Sequence, residues 1–375
     1  MRRSSLFALM FIIALSAFSY SVVLADGDDP SDEEEKEAVE NFTVDDVKYH
    51  VTDEGVVEVE GVEDGATSIV IPKEVTFEET KYKVTAITED AFSGNTKLTS
   101  VNISGGVKEI PKEAFKGCNS LTKIELGDGV EEVGESAFSG CSSLTTIDIA
   151  KSVKKIGDSV FDGCTKLESI VIPESVKELG KGLFKDCTNL KTVEIDCDVE
   201  EINEDFFKNC TSLEEIEIKG DIKKIVESMF EGNKKLKSVK LTGDIDEIGK
   251  NAFKECTSLE TFEFGEKKKV KEIGESAFEG CSSLKEMVIP GSLKLIDKTT
   301  FKDCTSLEKL EIETGVEEIG ESAFEGCESL EEVTIPSTVK KVGEKAFKDC
   351  TSLTKVELEE GVEEIGDSAF EGKFS

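Results

Sequence analysis

The chain has 375 residues, with 81 acidic against 45 basic side chains and a formal net charge of −36. Apolar residues make up 38% and charged residues 34%, enough for a core but too polar for a protein buried in a membrane. Both arginines lie at positions 2 and 3, tryptophan is absent and histidine occurs once, which weighs against nucleic-acid binding and most enzyme chemistry.

Residues 1–25 read as a secretory signal. Arg2 and Arg3 give a positive start, Leu6 to Phe18 form an apolar core, and Val23-Leu24-Ala25 is a small-residue cleavage site. Cleavage there removes two of the cations and leaves a net charge of −38. An uncleaved anchor is the alternative, but Ser16, Ser19 and Ser21 interrupt a run that must reach about 20 apolar residues to span a bilayer. No transmembrane segment is expected after cleavage, and no cysteine at the site offers a lipid anchor. Residues 26–40 are acidic, lack aromatics and contain Pro30, the composition of a disordered linker. Residues 41–65 are expected to form an N-terminal β cap, because 47–62 alternate apolar and polar across an Asp53-Glu54-Gly55 turn, as a hairpin does. An insertion of nine residues, about 75 to 83, decorates the coil that follows.

From residue 66 to 375 the chain repeats itself. Phenylalanine recurs at 92, 115, 138, 161, 184, 207, 230 and 253, then at 278, 301, 324, 347 and 370. The step is 23 residues except once, where it is 25 because the loop Gly265 to Lys269 is longer by two. Thirteen in-register phenylalanines predict thirteen coils. Within one unit, Leu121, Ile124 and Leu126 mark a short strand, Gly127-Asp128-Gly129 a turn, and Val130 and Val133 a second extended edge. Glu135 to Phe138 fits one helical turn before Gly140. No coil can bury its apolar face alone, so stacking supplies the core, and equivalent strands about 4.8 Å apart would give one continuous parallel sheet some 60 Å long.

This pattern resembles the leucine-rich repeats of the BspA-like (Treponema-type) family. The family's unit, L-x-x-I-x-I-P-x-x-V-x-x-I-G-x-x-A-F-x-G-C, is matched almost letter for letter by 167–180 and 330–350. Its leading segment has a likeness in Val47-Lys48-Tyr49, in Ile69-Val70-Ile71-Pro72 and in Tyr82-Lys83-Val84. The resemblance covers about residues 45 to 372. It implies a curved, right-handed repeat solenoid with a parallel sheet on its concave face and extended segments and short helical turns on its convex side. It also implies an exported or surface-exposed protein engaged in adhesion or host contact, and it transfers no catalytic residues.

His50, between Tyr49 and Val51, reads as a solvated side chain, and no phosphate loop, GxGxxG or HExxH appears, so no catalytic residue, metal site or cofactor is expected. Ten of the eleven cysteines share one register: Cys118, Cys141, Cys164, Cys187, Cys210, Cys256, Cys281, Cys304, Cys327 and Cys350. Asn95 and Asn233 take the same place in two coils. An asparagine cannot stand in for half of a disulfide, and rungs about 4.8 Å apart exceed the roughly 3.8 Å between β-carbons that a bridge prefers. A buried ladder of free thiols follows, with asparagine as a small buried hydrogen-bonding substitute. Cys197, off register between Asp196 and Asp198, is the candidate exposed thiol. Lys267-Lys268-Lys269 reads as a solvated turn. Glycan acceptor patterns occur at Asn41, Asn102 and Asn209, the last beside a buried ladder position.

Two columns of side chains are expected to face solvent. One follows the second edge: Lys108, Glu131, Lys154, Lys177, Glu200, Lys223, then Asp246, Lys271, Lys294, Glu317, Lys340 and Glu363, with signs that largely alternate. The other lies between the two inward residues of each main strand: Asn102, Glu125, Asp148, Val171, Glu194, Glu217, then Lys240, Glu263, Val288, Glu311, Thr334 and Glu357. Its seven acids are the candidate partner-binding stripe. The functional expectation is therefore an exported, non-enzymatic interaction protein whose partner is a protein or another extracellular ligand, with a structural matrix or coat component as the alternative. Nucleic acid is disfavoured by the charge, and weak self-association is expected through residues 353–374.

Overall fold

The computed structural model describes residues 39–202, 205–266 and 269–372. The signal expected at 1–25, nearly all of the linker, and Lys267 and Lys268 lie outside the described residues. The repeat becomes a lateral translation: Ile170 pairs with Val193, Val193 with Ile216, Ile216 with Val239, and Val239 with Phe262, all in parallel. Along each strand the side chains alternate, so Ile170 and Ile172 are buried while Val171 between them is exposed. A β-branched residue inside and a polar residue outside is what a half-buried pleated strand selects.

Two ribbons result. The main strands run from Ser68–Ile71 to Lys355–Leu358, and the second edge carries strands of two to four residues, from Glu109–Ile110 to Glu364–Ile365. The expected single 60 Å sheet is corrected. The main ribbon is divided into segments of three, five, two and two strands. Thr145 to Ile149 contributes only an isolated bridge, Asp148 to Glu125. Between Thr261–Phe264 and Glu286–Ile289 no ladder forms. There the connecting loop is two residues longer, and the Phe262 ring is wedged edge-on between Phe253 and Phe278, at 5.2 and 4.9 Å.

The expected helical turn is also corrected: among the described residues there is no helix. Ala137, Ser139 and Cys141 donate to the carbonyls of Gly134, Ser136 and Phe138, three residues back. The amides between them, of Ser136, Phe138 and Gly140, donate instead to Asp158, Val160 and Asp162 of the next coil. A helix needs every amide to donate four residues back along its own chain. Here half of them are committed to the neighbouring coil, and Ser136 (φ 55°) and Gly140 (φ 73°) turn the backbone left-handed to aim them.

Beneath these turns the phenylalanines stack in register, with ring centroids between 4.7 Å for Phe92–Phe115 and 5.9 Å for Phe138–Phe161. Offset stacks of this kind contribute about 0.5–1.5 kcal/mol each beyond the apolar area they bury. Coils approach closely where the second edge ends in glycine. A Cβ on Gly180 would sit 2.2 Å from the Gly157 carbonyl carbon, so no larger residue fits without prising the coils apart.

At the N-terminal end, Asn41–Val44, Val47–Asp53 and Val56–Val62 form an antiparallel meander. The inserted residues form a hairpin, Glu74–Phe77 with Thr80–Ile87, and its second strand pairs in parallel with Val56–Val62 to complete a five-stranded sheet. Phe42, Tyr49, Phe77 and Tyr82 pack together on it, with Phe42 4.6 Å from Phe77.

Candidate functional site

Parallel register carries the candidate stripe into one column. Asn102 pairs with Glu125, Glu125 bridges Asp148, Val171 pairs with Glu194, Glu194 with Glu217, Glu217 with Lys240, and Lys240 with Glu263. Val288 pairs with Glu311, and Thr334 with Glu357. None of the seven acids is buried. The column begins one coil earlier than the sequence reading placed it, at Val70, which is 54% exposed and pairs with Asn102.

The chain neutralises part of this stripe itself. Lys123 lies 2.5 Å from Glu125 and holds its carboxyl below the usual range, and Asn102 adds a hydrogen bond at 2.5 Å. Lys240 pairs with Glu217 at 2.9 Å, and Lys355 with Glu357 at 3.4 Å. Lys219, on the turn after the strand, contacts both Glu194 and Asp196, which push its pKa up to about 12. Sequence reasoning missed Lys123 and Lys219 as partners because they lie outside the column, two residues before Glu125 and just past the strand Glu215–Ile218. Among the described residues no close ion pair forms at Asp148, Glu263 or Glu311, although Asp148 acts on Lys123 and Glu263 on Lys240 through space.

The second-edge column is solvent-facing. The Glu200 side chain lies outside the described residues, and none of the other eleven is buried. Cross-rung pairs form between Lys154 and Glu131 at 2.5 Å, Lys294 and Glu317 at 2.8 Å, and Lys271 and Asp246 at 2.9 Å. Pairs this exposed are screened by solvent and add little to stability. Lys269 is not a free turn cation: it pairs with Asp244 at 2.7 Å.

All eleven cysteines are free and buried. Every in-register thiol donates to a phenylalanine carbonyl of the preceding coil, from Cys118 to Phe92 at 3.0 Å to Cys350 to Phe324 at 3.3 Å. Burial pushes the Cys118 thiol up to about 11 and those of Cys210 and Cys256 up to about 12. Two expectations are corrected. Cys197 is 1% exposed, because its side chain points inward just before the second edge, and burial pushes its thiol up to about 11. Asn95 and Asn233 are only half-buried and do not copy the thiol's bond. Asn95 Oδ1 accepts from the amides of Lys97 and Leu98 at 2.8 and 2.9 Å, and Asn233 Oδ1 from that of Lys235 at 3.3 Å, so each caps its own turn.

His50 is engaged with Asn41 through Nδ1 and Oδ1, 2.8 Å apart. Of the glycan acceptor patterns, Asn41 and Asn209 are exposed and Asn102 lies within the ribbon beside Glu125. Among the described residues no group of three or more metal-ligating side chains is clustered, and no helix is long and apolar enough to cross a membrane.

Coils translated by 23 residues, two ribbons of parallel strands and a stacked phenylalanine column define a leucine-rich-repeat β-solenoid of about thirteen turns. The chain belongs to the BspA-type leucine-rich-repeat family, whose six-copy repeat region matches residues 85–214, 154–282 and 271–375. A leucine-rich-repeat protein from Bacteroides ovatus is 30% identical, with 88% of this chain and 92% of that one aligned and a TM-score of 0.57. A leucine-rich cell surface protein from Faecalibacterium prausnitzii is 27% identical over 86% of this chain and 95% of its own, with a TM-score of 0.43. A leucine-rich-repeat protein of T. pallidum is 24% identical over 65% and 90%, with a TM-score of 0.42. No curated protein matches the chain.

Proposed function

We propose that this chain is an exported, non-catalytic interaction protein that works at or outside the cell surface, by adhesion or by capture of another protein, through the outward face of its main ribbon. The observation that carries the reading is the column itself: side chains at equivalent positions of twelve coils, Asn102 to Glu357, none of them buried and aligned in runs by the strand register. Membership of a leucine-rich-repeat family and the signal-like residues 1–25 support it. The column holds no aromatic residue and no arginine, the usual anchors of a tight interface, so single-molecule binding is weak and many copies strengthen it. Exposed acids also make attachment salt-sensitive.

The test is proximity labelling by the protein on the surface of its own cell, comparing the native chain with one in which Glu125, Asp148, Glu194, Glu217, Glu263, Glu311 and Glu357 are replaced by Gln or Asn. Loss of the labelled partners, reproduced by molar salt, is the expected result. Attachment that survives both treatments refutes the stripe as the site. A second reading, a structural coat or matrix component, is favoured by one observation. In the last described coil, Leu358 is 45% and Ile365 49% exposed, and the strand Lys355–Leu358 pairs on one side only.

A further inference from the structure

Two clefts lie in the second half of the main ribbon, one at the rupture before the strand pair Glu286–Ile289 and Lys309–Ile312 and one over that pair, reaching the next rupture. The first is a cleft of about 380 Å³ between Thr261–Phe264 and Glu286–Val288, and the second one of about 500 Å³ between Glu286–Val288 and Glu331–Glu332. They share Glu286, Met287 and Val288, so they form one groove that crosses the ribbon. Its floor is apolar: Phe262 and Met287 are buried beneath it, and Phe264, Val288 and Leu310 are half-exposed. Its rim is acidic. Three glutamates line the first cleft and five the second, Glu286 being common to both, against one lysine in each. Those lysines are already taken, Lys285 by Glu260 at 2.8 Å and Lys309 by Glu286. Glu263, in the first cleft, and Glu311, in the second, have no ion-pair partner among the described residues. The strand Thr261–Phe264 pairs with Ser238–Leu241 on one side only, although Glu286–Ile289 lies alongside its other edge without forming a ladder.

We infer that this groove docks an extended, basic segment of a protein partner, its lysine or arginine side chains set between Glu263 and Glu311 and its aliphatic stems against Phe264, Val288 and Leu310. Two features select that occupant. Glutamates outnumber lysines on the rim, which disfavours acidic segments and nucleic-acid phosphates. The apolar floor suits the long methylene stems of cationic side chains, which bury their carbons and keep the charge at the rim. The half-exposed Phe264 ring adds a face on which a cation can rest. The inference rests on the interaction reading above and places its strongest contact in coils near residues 260–335 rather than evenly along the stripe.

Methionine provides the reporter. Besides Met1 and Met10 the chain has only Met229, buried near Phe230, and Met287, in the groove floor. With methyl-labelled methionine, titration of an octapeptide of alternating lysine and leucine should shift the Met287 resonance and leave Met229 unmoved. A glutamate–leucine octapeptide should move neither. Glu263→Lys, an exposed change that the fold tolerates, should weaken the peptide at least tenfold, whereas Glu194→Lys should not. An unmoved Met287, an equal response to the acidic peptide, or unchanged affinity in Glu263→Lys overturns the groove. If the sevenfold stripe variant loses its cell-surface partners while Glu263→Lys keeps them, the interaction reading stands and the groove alone is wrong.

Discussion

Replacing Phe324 by alanine should cost more than the same change at Phe370, because stability in a stacked array is a sum over neighbouring coils. Phe324 is fully buried, with Phe301 at 5.3 Å on one face and Phe347 at 5.0 Å on the other. Deleting a buried phenylalanine costs about 3–5 kcal/mol in lost transfer energy and residual cavity, and here it also removes two stacks. Phe370 is half-exposed and, among the described residues, stacks only on Phe347, at 5.4 Å, so its loss should cost about 2 kcal/mol. Urea unfolding followed by far-ultraviolet circular dichroism measures both. For Phe324→Ala the midpoint should fall furthest, and the transition should broaden or split as the coils on either side uncouple. Phe370→Ala should lower the midpoint modestly and leave the slope unchanged. Phe324→Leu, which keeps most of the volume, should cost about 1–2 kcal/mol. Equal losses at the two alanine positions, or a leucine variant as damaged as the alanine one, would refute a nearest-neighbour core built on this column.

The thiols should be inert while the fold persists: at pH 8 an alkylating reagent should label none of the eleven cysteines, Cys197 included, and all of them in urea. Rapid native labelling of Cys197 would contradict its inward placement. Because burial raises the folded-state thiol pKa, from an ordinary value of 9.0 to about 11 at Cys118 and to about 12 at Cys210, the associated stability is complete below about pH 9 and disappears as pH rises through 11–12. The urea midpoint should therefore fall across that window, and less steeply with Cys210 and Cys256 replaced by alanine; identical slopes would refute the linkage. Self-association through the last described coil should appear as concentration-dependent sedimentation and vanish in a Leu358→Lys, Ile365→Lys double variant. A strict monomer at high concentration would remove the structural reading.

Much of the architecture was legible in the sequence because a repeat protein writes the same local instruction many times. The spacing of Phe92 to Phe370 set the number of coils, and the alternation in segments such as Ser169-Ile170-Val171-Ile172 set which side chains face inward. The free-thiol register followed from the exchange of cysteine with asparagine at positions 95 and 233. What the sequence could not decide is where the backbone amides go. Glu135 to Phe138 suits a helical turn locally, and only the adjacent coil, whose carbonyls at Asp158 and Val160 compete for those amides, makes it a left-handed turn instead. Nor could it decide which acids remain uncompensated, because the lysines beside Glu125 and Glu194 lie off the column and reach it by side-chain length. The ruptures depend on tertiary packing in the same way. Phe262 reads as one more inward apolar residue, and only the stacked coils set its ring edge-on between Phe253 and Phe278, beside one of the ruptures. Periodicity is a property of one chain segment at a time, whereas hydrogen-bond competition, charge compensation and steric mismatch are properties of neighbours, and they exist only once the coils are stacked.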